Sequence, residues 1–130
     1  MNPDDYPKDL KYNKDYSWVM IDGKTATFGI IGSCAKKVKE FVFINLSEKG
    51  KDIKSGDIYV SVEAIKWSGH LSSPLSGKII DVNDSLFDEP EKINKDPYGS
   101  WIVRLELKDL KDVQNLMDYQ EARRYYEEEQ

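Results

Sequence analysis

The sequence predicts a mainly β protein, a small barrel or sandwich of short strands, with one short internal helix and a second helix at its C-terminal end. Three patterns carry that expectation. Ile58, Val60 and Val62 alternate with Tyr59, Ser61 and Glu63, the period of two that a half-buried strand requires. Trp18-Val19-Met20-Ile21 and Thr25-Ala26-Thr27-Phe28 flank Asp22-Gly23, a pair suited to the positive φ angles of a tight hairpin. Over residues 109–126 the spacing turns helical, because Leu110, Val113, Leu116, Met117 and Tyr125 return to one side of a helix and can pack on the β body.

After the first hairpin comes Gly29-Ile30-Ile31-Gly32-Ser33, where the internal helix is expected to begin with Ser33 as a candidate cap. Lys36-Lys37-Val38-Lys39 then reads as the solvated face of that helix, and no function is assigned to it. Beyond the alternating strand, Ser68-Gly69 is a turn dipeptide, Pro74 and Gly77 punctuate the return, and Ile79, Ile80 and Val82 make the β-branched strand on the other side. Residues 84–94 are acidic but lack the ligand alternation, central glycine and closing glutamate of an EF-hand loop. They are expected to form a surface turn with a short helical element and to hold no metal. Glu127-Glu128-Glu129-Gln130 reads as a frayed acidic tail.

A chain of 130 residues with 39% hydrophobic and 12% aromatic content supports one folded domain over 1–130, with a β body over about 10–108 and a helix over about 109–126. Its 33% charged residues and net charge of -5 indicate an acidic, soluble surface, which disfavours nucleic acid as a partner. Cys34 is the lone cysteine, so it forms no intramolecular disulfide and is expected to be a buried small hydrophobe. Residues 1–10 carry Asp4, Asp5 and Asp9 and no apolar stretch, and no run is long enough to span a membrane. A cytoplasmic monomer is expected.

Catalytic schemes have little to work with. His70 is the one histidine, there is no Gly-x-Ser-x-Gly elbow, and neither a P-loop nor a Gly-x-Gly-x-x-Gly fingerprint is present. His70 is expected to be an exposed turn residue. Trp67, beside the turn, either shields the base of the neighbouring lysine or covers core.

Lys66 is the informative residue. It follows the alternating strand directly, so it is lifted to the tip of a hairpin, where its amine stays in water within reach of an acylating enzyme. An amide bond there cancels the charge and adds an acyl arm. With 19 Lys+Arg in the chain, a lysine at a tip is ordinarily only a solvated charge, and the surrounding spacing is what distinguishes this one.

Gly56-Asp57 lies ten residues before Lys66, Val62-Glu63 ends three before it, and Pro74-Leu75-Ser76-Gly77 runs from eight to eleven after it. This arrangement resembles the lipoyl-attachment motif of the glycine cleavage system H protein family. Tyr12, Lys14, Trp18 and Val19, then Ala26-Thr27-Phe28-Gly29-Ile30, are similar to the family's first strands. Phe41-Val42-Phe43-Ile44-Asn45-Leu46-Ser47-Glu48-Lys49-Gly50 is similar to its strand leading into a Leu-Pro-x-x-Gly turn. Asn83, Leu86, Pro90, Glu91, Asn94, Pro97-Tyr98-Gly99 and Trp101-Ile102 extend the likeness, which covers about residues 10–126. Two stretches depart from it. Tyr16-Ser17-Trp18 stands where the family commonly has His-Glu-Trp, and Trp67-Ser68-Gly69-His70 where it usually has Ala-Ala-Ser-Asp.

The resemblance implies a barrel-sandwich hybrid of the lipoyl/biotinyl-domain type and a carrier rather than an enzyme. Lipoate would be joined to Lys66, with Gly56, Glu63 and Gly77 recognised by the lipoate-attaching enzyme. The arm would shuttle an aminomethyl intermediate between glycine decarboxylase and aminomethyltransferase, and dihydrolipoyl dehydrogenase would reoxidise it. The two departures keep open an H-like lipoate-binding protein of a sulfur-oxidising, heterodisulfide-reductase-like system. A biotin carrier fits poorly, because Ile65 and Trp67 replace the methionines that usually flank a biotinyl lysine. An unmodified β-barrel interaction module is the remaining alternative.

Overall fold

The computed structural model describes residues 6–128. Residues 1–5 of the stretch read for targeting signals, and residues 129 and 130 of the acidic tail, lie outside the described residues. The strands are β1 (Lys11–Tyr12), β2 (Ser17–Asp22), β3 (Thr25–Ile30), β4 (Phe41–Leu46), β5 (Asp52–Ile53), β6 (Ile58–Ala64), β7 (Ser68–Ser72), β8 (Gly77–Val82) and β9 (Val103–Leu107). The helices are α1 (Gly32–Val38), α2 (Ser85–Asp88), α3 (Lys92–Lys95) and α4 (Tyr119–Glu128), with a 3-10 turn at Lys111–Asn115. One sheet runs β1-β2-β3-β9-β8-β5 and the other β4-β6-β7. This is the barrel-sandwich hybrid that the sequence led us to expect.

The first hairpin forms as read. Asp22 pairs with Thr25 across Gly23-Lys24, and Gly23 takes φ +61°. Along β2 and β3 the buried Trp18, Val19, Ala26, Phe28 and Ile30 enter a core shared with Ile44, Val60, Val62 and Leu71 of the small sheet. Trp18 lies flat over Gly29, where a Cβ would collide with the indole, and its Nε1 donates to the Pro97 carbonyl at 3.0 Å.

Register sorts the small sheet into two faces. Rows Ile44–Val62–Gly69 and Leu46–Val60–Leu71 face inward, while Phe43–Glu63–Ser68 and Asn45–Ser61–His70 face outward. At the start of β6 the alternation departs from the simple pattern. A register shift between Ile58 and Val60 leaves Ile58 half exposed and turns Tyr59 fully inward, with its hydroxyl 2.6 Å from the buried Ser17 Oγ.

Four expectations are corrected. The strand that returns from the Lys66 hairpin is Ser68–Ser72, so Ser68-Gly69 lies inside a strand, and Gly77–Val82 crosses to the large sheet to pair with β9 and β5. His70 accordingly sits on a strand, not a turn. Helix α1 starts at Gly32, and Ser33 caps nothing; its hydroxyl lies 2.9 Å from the Tyr6 hydroxyl instead. The C-terminal helix begins at Tyr119, ten residues later than the helical spacing indicated. Met117 exchanges backbone hydrogen bonds with Tyr12 at 2.7 and 2.9 Å, and a residue bridged to a strand cannot also continue a helix. A start signal for α4 was present but unread: Asp118 Oδ1 accepts from the Glu121 N–H at 2.8 Å and Glu121 Oε1 from the Asp118 N–H at 3.3 Å, a capping box.

Candidate functional site at the hairpin tip

β6 and β7 pair as far as Glu63 and Ser68, and the Ala64 N–H donates to the Trp67 carbonyl at 2.7 Å, so Ile65 and Lys66 form the outermost point. The tip is not loose. Its Lys66 N–H donates to the carbonyl of Val38, the last residue of α1, at 3.1 Å, and its Ile65 N–H to the Glu40 carbonyl, two residues past the helix, at 3.0 Å. The Val38 carbonyl belongs to the set that a helix leaves unsatisfied at its C-terminus, and Glu40 follows just past the cap Lys39. Lys39 between them takes φ +67°, turning the chain so that both oxygens face the hairpin. The backbone of Lys66 is thus anchored while its side chain stands in solvent.

Aromatic side chains brace the base of the tip. Trp67 is half-buried and lies against Gly69, where a Cβ would meet its ring. It meets Tyr16 edge-on, with ring centroids 6.4 Å apart. Tyr16 holds φ +63°, a left-handed conformation that costs a non-glycine residue on the order of 1 kcal/mol or more. Tyr126 of α4 stabilises it: the Tyr16 N–H donates to the Tyr126 hydroxyl at 2.7 Å, and that hydroxyl donates to the Asn13 carbonyl at 2.7 Å. Burial pushes the Tyr126 phenol well above its ordinary range, so the hydroxyl keeps the proton it donates.

The four residues picked from the sequence fall into three places. Glu63 is exposed, one register pair below the tip that carries Lys66. Gly56 lies at the opposite end of the hairpin, and Gly77 opens β8 of the large sheet. Gly56 takes φ +95° in the turn before β6 and donates its N–H to the Ser73 carbonyl at 2.8 Å. Gly77 allows β8 to approach β9, because a Cβ there would strike the Glu106 carbonyl oxygen.

The other side chains singled out from the sequence divide between one buried thiol and several exposed groups. Cys34 is buried on α1 beside a cleft of about 370 Å³ that Tyr16 and Tyr126 also line. Burial raises its thiol to about 12, the Lys37 charge only partly opposing it, so the sulfur is protonated at neutral pH. Lys36, Lys37 and Lys39 are exposed, as the reading of a solvated helix face has it. His70 is exposed, with Nδ1 2.7 Å from Ser61 Oγ. Among the described residues no three His, Cys, Asp or Glu side chains are grouped to hold a metal, and no helix is long and apolar enough to cross a membrane. Sequence reasoning did not find Val38, Glu40 and Tyr126. Each acts across a long sequence separation, and two act only through backbone carbonyls that no side-chain pattern marks.

A two-sheet β fold thus presents Lys66 on an anchored hairpin tip, open to other proteins. The model of the glycine cleavage H-protein family matches residues 10–129. The chain is 37% identical over 120 residues to the glycine cleavage system H protein of Thermoanaerobacter sp. (strain X514), covering 92% of this chain and 95% of that one. It is 40% identical over 111 residues to the H protein of Thermotoga maritima, covering 85% and 90%. The crystal structure of a glycine cleavage system H protein from Mycobacterium marinum superposes with a TM-score of 0.80 at 29% identity, covering 88% of this chain and 94% of that one. The chain belongs to the glycine cleavage H-protein family. Proteins of that family are carriers, bear lipoate covalently on a lysine, and interact with glycine decarboxylase, aminomethyltransferase and lipoamide dehydrogenase.

Proposed function

We propose that this protein is the lipoyl carrier of a glycine cleavage system, a single domain over residues 1–130 with lipoate joined by an amide to Lys66 Nζ. One observation carries the assignment to this lysine: its backbone is pinned to the end of α1 while its side chain stands free in solvent. When attached, lipoate supplies the disulfide that takes up an aminomethyl group and hands it on. The chain's own contribution is positional. An anchored tip holds the root of the arm, and tethering raises the local concentration of cargo at each partner's active site. Glycine decarboxylase and aminomethyltransferase are the proposed loading and unloading partners, and dihydrolipoyl dehydrogenase the reoxidant. No catalytic group on this chain is needed. Glu63 is the recognition residue at the tip, whereas Gly56 and Gly77 act at a distance, Gly56 by shaping the hairpin's far end and Gly77 by letting β8 pack against β9. A cytoplasmic monomer with a reduced Cys34 completes the proposal, supported by its acidic surface and single buried thiol.

Lys24 provides an internal control, since it too is exposed in a two-residue hairpin turn. Intact mass and a peptide map after expression with lipoate and its ligase should place one lipoyl increment on the Lys66 peptide. Lys66→Ala should abolish it without unfolding the protein, and Lys24→Arg should leave it unchanged. Normal lipoylation of the Lys66→Ala protein overturns the assignment.

One observation favours a second reading. Where the family commonly has His-Glu, this chain has Tyr16 packed on Trp67 and a buried Ser17 bonded to Tyr59, so no carboxylate stands there. An H-like lipoyl carrier of a sulfur-oxidising system is consistent with that change. Aminomethyl transfer from glycine decarboxylase to the lipoylated protein counts against it, and failure of that transfer favours it. Absence of streptavidin binding disposes of biotin.

A further inference from the structure

The outward face beside the tip carries an apolar cluster that the core does not explain. β4 is an edge strand, and its register shifts between Phe41 and Phe43, so Val42 and Phe43 are exposed in succession, at 54% and 44%. Regular alternation would bury one of them; the bulge aims both outward. Phe87 on α2, 60% exposed, meets Phe43 edge-on with ring centroids 6.2 Å apart. Ile65, next to Lys66 at the tip, is 62% exposed. Phe43 pairs directly with Glu63, three residues before Lys66, which by strand spacing puts its Cα within roughly 12 Å of the lysine's. Exposed Glu63 is the register partner of Phe43, exposed Asp84 and Asp88 flank Phe87 along the chain, and a groove of about 560 Å³ runs from Phe43 past Glu63 to Gly69.

Solvated aromatics in contact, set on a bulge and bordered by like charges, have the composition of an interface hot spot. Which partner it serves follows from reach. Enzymes that act on a loaded arm meet its far end, but an enzyme that forms the amide must bring its acyl donor to Nζ itself. Its footprint therefore has to cover residues around the tip. We propose that Phe43 and Phe87, with Ile65 and the acidic border, form the docking surface of the lipoate-attaching enzyme, which meets them with an apolar pocket rimmed by lysine or arginine. The inference rests on the reading of Lys66 as the modified lysine. In the reaction the Nζ lone pair forms the bond to the activated acyl carbon, the donor's leaving group departs with its electron pair, and the amine proton passes to solvent. None of the docking residues takes part.

Steady-state lipoylation of the full chain by the ligase tests this. Phe87→Ser, on an exposed four-residue helix, and the double variant Phe43→Ser with Phe87→Ser should raise KM for the carrier at least about tenfold with kcat little changed, the size of effect a hot-spot aromatic gives. Circular dichroism and thermal melting establish that each variant is folded, and Phe87→Ser serves alone if the double variant is not. Asp84→Asn with Asp88→Asn should weaken the dependence of KM on salt, since those charges would no longer face the basic rim. A folded Phe87→Ser protein whose KM stays within twofold of the parent overturns the inference. A parent protein left unmodified by active ligase overturns the reading of Lys66 and this inference together. A concentration-dependent dimer lost in the serine variants, with KM unchanged, would assign the face to a second copy of the chain instead.

Discussion

Tyr126 is where a single atom joins two distant parts of the chain. Its hydroxyl takes the Tyr16 N–H and gives its proton to the Asn13 carbonyl, tying α4 to the loop ahead of β2. Tyr126→Phe keeps the ring and removes that oxygen, leaving one donor and one acceptor without their partner. Urea unfolding should show a loss of about 1–3 kcal/mol, the cost of stranding buried polar groups; an unchanged midpoint would contradict the bridge. Gly77 is constrained for a different reason. A methyl group there meets backbone, the Glu106 carbonyl, not a side chain that can rotate away. Gly77→Ala should cost about 1–3 kcal/mol through forced separation of β8 and β9, read in the same experiment.

Among the elements, the hairpin and α4 differ in how they are held. The tip's amides are bonded to carbonyls at and just past the end of α1, even though its side chains are in solvent. Hydrogen exchange should therefore find the Ile65 and Lys66 amides protected relative to those of an unbonded surface loop, and exchange at the intrinsic rate would refute the anchoring. Helix α4 is ten residues long, too short to stand alone in water, and depends on its cap and on burial of Ala122 and Tyr126 one turn apart. Asp118→Ala removes the cap oxygen and should cost about 1 kcal/mol, visible as a lower melting temperature and reduced helical signal.

At the scale of the whole molecule, burial of titratable groups sets an alkaline limit on stability. Cys34 is raised to about 12, and Tyr12, Tyr59 and Tyr126 are displaced upward as well, burial being the largest cause in each. Unfolded, the thiol has a pKa of 9.0 and the phenols 10.0. Above pH 9.0 the unfolded chain therefore binds fewer protons than the folded one, and stability falls as pH rises. The contribution is complete below the unfolded values and is lost on the way to the folded ones. Melting temperature should hold steady up to about pH 8 and decline through about pH 9–11; a flat profile would mean that these groups are not buried as described.

The period of the strands, the Asp22-Gly23 turn, the exposed tip at Lys66, the buried Cys34 and the family motif were all legible in the chain, because each is written in residues close together or at fixed spacing. Strand partners were not. The β-branched run at Ile79 looked like the return of the Lys66 hairpin, yet it pairs with β9 and β5, and five residues around Gly69 make the return instead. Helical spacing over 109–118 yielded to a bridge with Tyr12, since backbone groups committed to a strand cannot also close helical turns. Local chemistry, then, determined which segments could be strand, turn or helix and raised Lys66 into water. Only the tertiary structure decided what holds that lysine in place, because the Val38 and Glu40 carbonyls and the Tyr126 hydroxyl reach their partners through space and leave no trace in sequence spacing.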